Sequence, residues 1–214
     1  MGDLAALLVA ARRLAPSGVA LAAGDPTATA PQLWGAELLV KAVPKRQAEF
    51  AAGRATARSA MALLGVAPAA IPHGLDRAPV WPDGIHGSIT HSDTACLAAV
   101  TFAPRLIGID LEPATPLDAS LQDVVLTPAE RAAIAHSPDP ALTGKLIFSA
   151  KEAGYKAQYA RSRTLLDFDA LEITLGDGCF TVRFAQDVPG FSTGVILHGR
   201  FCQSQGHFFT LVEG

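Results

Sequence analysis

Cysteine is scarce, and the three present, Cys96, Cys179 and Cys202, are odd in number and lack metal-ligand spacing. Each lies in a strand-like apolar stretch, so they are expected to be reduced core residues of a cytosolic protein, which sets the expected localisation as cytoplasmic. Excess positive charge is missing too. A formal net charge of −3 excludes a generally basic nucleic-acid binder and offers no broad field for an anionic membrane. Long apolar runs are also lacking. Asp3 stands where an export signal would be positive, and Arg12 and Arg13 interrupt the run from Leu4 to Ala11, so neither a signal peptide nor a membrane span is expected. That opening segment suits an amphipathic surface helix. No internal repeat is visible.

Half of the 214 residues are apolar, many of them alanine, enough for one sizeable domain or two small ones packed together. The low overall charge makes its concentrations informative. Between positions 41 and 58 stand five cationic residues, Lys41, Lys45, Arg46, Arg54 and Arg58, against the single acid Glu49. Any anion site must be local, and this is a place for one.

Two acidic islands about forty residues apart carry the strongest chemical signal. In Gly108-Ile109-Asp110-Leu111-Glu112 the acids alternate with apolar residues, so on a strand both carboxylates face one way. Two carboxylates about 4 Å apart repel by roughly 4 kcal/mol at an effective dielectric near 20, and such a pair wants a proton or a cation between its members. Oxygen-only ligands suggest magnesium. The second island runs from Phe148 to Lys156, where Phe148, Lys151, Glu152, Tyr155, Lys156 and Tyr159 recur at helical steps. A carboxylate flanked by two lysines suits a site holding a metal together with a polyanion. Taken singly, each island also fits a solvated surface laced by Glu–Lys pairs. Their combination points to phosphate chemistry.

The rest of the chain reads as α+β. Pro44 starts a helix over Lys45 to Leu64 with Phe50, Ala57, Ala60, Met61 and Leu64 on one apolar flank, and Gly65 ends it. Strands are expected at 87–91 and 95–102, and the acidic strand follows. Residues 113–140 are turn-rich, with one short helix signalled by Thr127-Pro128-Ala129-Glu130. After the lysine-bearing helix, strands are expected at 171–175, 179–184, 194–201 and 207–212 in an antiparallel sheet. Each half therefore offers a long helix and a few strands, which predicts two similar α+β lobes, residues 1–105 and 106–214, with a cleft between them. Trp81-Pro82 suits a packed loop anchor, and Tyr155 and Tyr159 are core candidates.

These blocks together resemble the 4′-phosphopantetheinyl transferases of the larger, pseudo-dimeric type, in the enterobactin-synthetase-component branch. Matching in order are 43–50 with Gly53-Arg54 and Ala57-Arg58, then Trp81-Pro82-Asp83-Gly84, then 87–91, then 108–112, then 148–156. Five ordered blocks with sensible gaps are more specific than any one of them.

The resemblance implies two pseudo-symmetric α+β lobes with coenzyme A at their junction. It implies a magnesium-dependent transfer of phosphopantetheine to a serine of an apo acyl or peptidyl carrier protein, releasing adenosine 3′,5′-bisphosphate. It assigns Asp110, Glu112 and Glu152 to the metal, and Lys151 and Lys156 to the phosphates. Arg46, Arg54, Thr90 and His91 fall to the 3′-phosphoadenosine end, with Arg77 where relatives often place a lysine. The expected chemistry has the carrier serine attack the β-phosphorus, losing its proton to Glu152 or to a metal-bound water, while Lys156 stabilises the leaving bisphosphate. A metal-dependent phosphoesterase and a catalytically silent coenzyme A or carrier-binding module are the alternatives. The expected partners are carrier domains and coenzyme A, with neither nucleic acid nor membrane, and two lobes in one chain make a monomer sufficient. Residues 117–126 are a candidate carrier surface, though Asp118 and Asp123 would repel an acidic carrier helix.

Overall fold

The computed structural model describes residues 3–38 and 42–214, and Lys41 of the cationic cluster lies outside them. The chain divides into two compact units, Met1–Ile107 and Gly108–Gly214. Both mix helices with a sheet.

In the first unit, helix α1 (Leu4–Leu14) starts where the Asp3 carboxylate accepts from the Ala5 and Ala6 amides, satisfying two otherwise orphaned donors. It buries Leu7 and Ala11, as an amphipathic helix should. Strand β1 (Val19–Gly24), not anticipated from the sequence, follows. Its Val-Ala-Leu-Ala-Ala-Gly run has little β-propensity, and pairing with β3 makes it a strand. Helix α2 (Pro44–Leu63) has proline in its first turn, where the missing N–H is harmless. Strands β2 (Ile85–His91) and β3 (Cys96–Phe102) complete an antiparallel sheet in the order β1-β3-β2. The core joins Ala57, Ala60 and Met61 of α2 to Ala22, Ala98 and Val100 of the sheet, with Ile71 and Ile85. Small residues on both surfaces let helix and sheet approach closely, and Trp81 packs at the edge as a loop anchor.

The second unit opens with the acidic strand β4 (Ile107–Pro113). Two seven-residue helices follow, α3 (Ala119–Val125) and α4 (Pro128–Ile134), then the long α5 (Pro140–Ser162). Helix α4 carries the full capping box expected of Thr127 and Glu130. Helix α3 corrects the expectation that only one short helix lies between 113 and 140. Its signal is the local cap at Asp118, whose carboxylate accepts from the Ser120 amide. A 3₁₀ turn at Phe168–Ala170 leads into β5 (Leu171–Leu175), β6 (Cys179–Phe184), β7 (Ile196–Ser204) and β8 (His207–Glu213). Strands β5 to β8 pair antiparallel in succession, and β4 adds beside β8, giving the order β4-β8-β7-β6-β5.

The cysteines divide differently from expectation. Cys96 is buried, but Cys179 is exposed and Cys202 only half-buried. Period-two alternation explains Cys179: its neighbour Phe180 turns inward with Val182 and Phe184, so Cys179 turns out.

Candidate active site

Helix α5 lies against the sheet of the second unit, and one glycine sets how near it comes to the acids. A β-carbon on Gly108 would stand 2.0 Å from the Ala153 carbonyl oxygen and 2.5 Å from the Ala157 nitrogen. Only hydrogen fits there, so β4 lies directly on the α5 backbone. Two residues further along β4, Asp110 is then buried beside the helix, with Glu112 on the same face.

The helix answers with a stripe. Lys145, Ser149, Glu152 and Lys156 recur at spacings of four, three and four, one face of an α-helix. Lys156 Nζ donates to Asp110 Oδ1 at 2.6 Å, Ser149 Oγ to Asp110 Oδ2 at 2.9 Å, and Lys145 Nζ to Glu112 Oε2 at 2.5 Å. Burial pushes the Glu152 carboxyl above its usual pKa, Lys156 opposes that, and the charges of Asp110 and Glu112 push it up further. Glu152 therefore feels both acids of β4 and one ammonium.

The donor chemistry fits a hard dication such as magnesium. All three acids offer oxygen only, and their mutual repulsion, visible at Glu152, is what a dication relieves. Among the described residues no three Asp, Glu, His or Cys side chains are grouped as metal ligands. Instead, ammonium groups stand on two of the three acids.

Lys151 does not join this stripe, which corrects its expected place beside the phosphates. It is 1 % exposed, and its three N–H protons all have acceptors: Glu130 Oε2, the Val125 carbonyl and the Phe168 carbonyl, each at 2.8 Å. Desolvation lowers its pKa, opposed by its hydrogen bond to and charge interaction with Glu130. Glu130 is as fully engaged, since its carboxylate also accepts from the Thr127 and Ile173 amides. The pair clamps α4, α5 and the start of β5. One position in a 3.6-residue turn rotates Lys151 by about 100° from Glu152, enough to carry it from the acid face into the core.

In the first unit, two expected nucleotide contacts meet. Arg46 Nη1 donates to His91 Nε2 at 2.9 Å, which places the His91 proton on Nδ1 in this arrangement, and Glu49 lies 3.3 Å from the former and 3.7 Å from the latter. Thr90 precedes His91 on β2 with its side chain on the buried face. Lys45 is exposed and pairs with Asp93 at 2.8 Å.

The other two arginines of α2, Arg54 and Arg58, point inward. Arg54 is 5 % exposed, donates to the Ile71 carbonyl at 2.6 Å and stacks 4.2 Å over Phe50. Burial brings its pKa down to about 10, partly offset by Glu37, while Arg46 lowers it further, so the two guanidiniums share one field. Arg58 is held by buried Glu37, Nη1 meeting both carboxylate oxygens at 2.6 and 2.5 Å, and lies 4.3 Å over Trp34. Glu37 also accepts from the Ile71 amide. Arg77 is exposed on a loop with φ 66°.

Lys145, Ser149 and Glu37 were missed from sequence. For the first two the signal existed, because they continue the helical stripe of Glu152 and Lys156. For Glu37 there was none, since its partners lie 21 and 34 residues away.

Comparison with known proteins identifies the family. The model for the 4′-phosphopantetheinyl transferase N-terminal domain matches residues 35–101, and that for the 4′-phosphopantetheinyl transferase superfamily matches residues 106–199. The chain is 40% identical over 185 residues to 4′-phosphopantetheinyl transferase Svp of Streptomyces mobaraensis, covering 81% of this chain and 74% of that one. It is 39% identical over 153 residues to 4′-phosphopantetheinyl transferase PptT of Mycobacterium tuberculosis, covering 70% and 67%. With enterobactin synthase component D of Salmonella typhi it shares 40% identity over 140 residues, 61% of this chain and 55% of that one. The acidic strand and the lysine-bearing helix both fall within the superfamily match, and the chain belongs to the 4′-phosphopantetheinyl transferase family.

Proposed function

We propose that this protein transfers the 4′-phosphopantetheine group of coenzyme A to a serine of an apo acyl or peptidyl carrier protein, with magnesium required and adenosine 3′,5′-bisphosphate released. The observation that carries the proposal is Glu152, a carboxyl raised in pKa beside two further acids and a lysine, in a chain of this family. Asp110, Glu112 and Glu152 would hold the ion, whose charge would neutralise the pyrophosphate during transfer.

The side chains supply the remaining chemistry. Glu152 takes the proton of the attacking carrier serine, as a half-buried carboxylate on the helix face it shares with Lys156. Lys156 is partly exposed on a flexible stem, so its ammonium can turn from Asp110 to a phosphate oxygen as charge develops on the leaving bisphosphate. Arg46, Thr90 and His91 bind the 3′-phosphoadenosine end, with Arg54 contributing its buried charge and Arg77 a loop contact. Lys151 is assigned to holding α5 and not to phosphate.

Among the described residues no helix is long and apolar enough to cross a membrane. Likeness to the relative named enterobactin synthase component D favours a carrier of siderophore assembly as an acceptor. The protein is incubated with coenzyme A and magnesium chloride, with and without a panel of apo carriers, and the carriers are weighed by mass spectrometry. Phosphopantetheine on the carrier serine, lost in Glu152→Gln with the fold intact, is the expected result. Bisphosphate release without an acceptor would make the protein a phosphoesterase, and neither product would make it a binding module.

A further inference from the structure

A buried hydroxyl pair beside Asp110 joins Ser149 of the lysine-bearing helix to Thr210, which none of the motifs considered above includes. Thr210 is on β8, beyond the 106–199 span of the superfamily match, and Ser149 is on α5. Both are 0 % exposed, and Asp110 beside them is 4 % exposed. Ser149 Oγ lies 2.9 Å from Asp110 Oδ2 and 3.0 Å from Thr210 Oγ1, and Thr210 Oγ1 donates to the Ser149 carbonyl at 3.0 Å.

Each hydroxyl has one proton, which limits how these contacts can be made. The Ser149 proton has two acceptors, and the ionised carboxylate wins, because charge-assisted hydrogen bonds are roughly twice as strong as neutral ones. The Thr210 proton is then shared between the Ser149 carbonyl and Ser149 Oγ, both 3.0 Å away, and supplies the hydroxyl–hydroxyl contact. Lys156 holds the other carboxylate oxygen of Asp110. Ser149 therefore fixes the plane of the carboxylate, and Thr210 fixes the direction of Ser149.

We propose that Thr210 and Ser149 are positioning residues that orient the Asp110 carboxylate for magnesium, the hydroxyl of Thr210 acting through that of Ser149. This rests on the functional reading above for the identity of the ion. Partners that orient a metal ligand typically change metal affinity by roughly 10–100-fold when removed. Ser149→Ala should weaken magnesium binding about tenfold, at the lower end because Lys156 still holds Asp110. Thr210→Val, one bond further away, should weaken it about threefold, and Thr210→Ser, which keeps the hydroxyl, should stay within about twofold of the parent.

The test is calorimetric titration of magnesium chloride into the free protein. It is paired with the magnesium dependence of carrier modification and with thermal melting in chelator. The half-saturating magnesium concentration for transfer should move by the same factors. Parent-like magnesium affinity in Ser149→Ala or Thr210→Val overturns the inference. So does equal loss in Thr210→Ser and Thr210→Val, since the retained hydroxyl would then be irrelevant. If Thr210→Val does not fold, Ser149→Ala and Thr210→Ser decide. A parent that binds magnesium but modifies no carrier removes the transferase reading and leaves the positioning roles standing. A parent that binds no magnesium removes the positioning roles.

Discussion

Replacing Lys151 by methionine separates two roles that sequence alone confounds. Methionine keeps most of the stem's volume and removes the ammonium, leaving the Glu130 carboxylate 4 % exposed with its two backbone donors but without its counter-ion. The Val125 and Phe168 carbonyls lose their donor as well. Breaking a buried ion pair by removing one partner costs about 3–5 kcal/mol. For a chain of this size each kcal/mol shifts the melting temperature by about 2–4 °C, so a fall of roughly 10 °C is expected. Glu130→Gln should cost a comparable amount, since it leaves the Lys151 ammonium without its counter-ion and sets an amide NH2 against a backbone N–H. The double variant Glu130→Gln/Lys151→Met should cost less than the sum of the two singles, because no buried charge is left alone. Thermal melting followed by circular dichroism measures all three. Well below the lowered melting point, the KM for coenzyme A should be within about twofold of the parent, because protein acceptors already take all three N–H protons of Lys151. A variant that melts like the parent while its KM rises tenfold would refute the clamp and return Lys151 to the phosphates.

Three further outcomes follow from the same geometry. Gly108→Ala forces a β-carbon against the α5 backbone and should cost at least about 3 kcal/mol, the upper end for overpacking, read as a lower denaturation midpoint together with lost activity. Arg46→Ala should raise the KM for coenzyme A by about tenfold or more with little change in melting, since the side chain is half exposed; an unchanged KM would remove it from the nucleotide end. Burial pushes the Cys96 thiol up to about 12, so at pH 8 only about one molecule in ten thousand carries the thiolate, and a maleimide should label exposed Cys179 while sparing Cys96 in the native protein, as mass spectrometry of the digest would report.

Much of the site was legible before any coordinates. Asp110 and Glu112 share a strand face because successive side chains alternate, and Glu152 and Lys156 share a helix face because they are one turn apart. The same rule extended backwards picks out Ser149 and Lys145. It was not applied far enough, and Lys151 was grouped with Glu152 by adjacency in sequence where helical geometry separates them. Strand β1 was missed because its composition is indifferent and its partner lies about eighty residues away. The inward turn of Arg54 and Arg58 was missed for a related reason. Cationic side chains on a helix usually face water, and only a buried acid such as Glu37 makes the opposite choice stable.

What the residues determine by themselves is local. The Thr127–Glu130 capping box, the proline starts of α2 and α5 and the alternation along β4 depend on dihedral preferences and on contacts within about four residues, the same in any fold that contains them. Which lysine meets which acid is decided elsewhere. Lys145 on Glu112, Lys151 on Glu130, Lys156 on Asp110, and the hydroxyl of Thr210 against Ser149 sixty-one positions away exist only once β4 and β8 lie against α5. Such pairings are won or lost by packing and desolvation, whose energies depend on what has already been buried nearby and therefore cannot be read from neighbours in the chain.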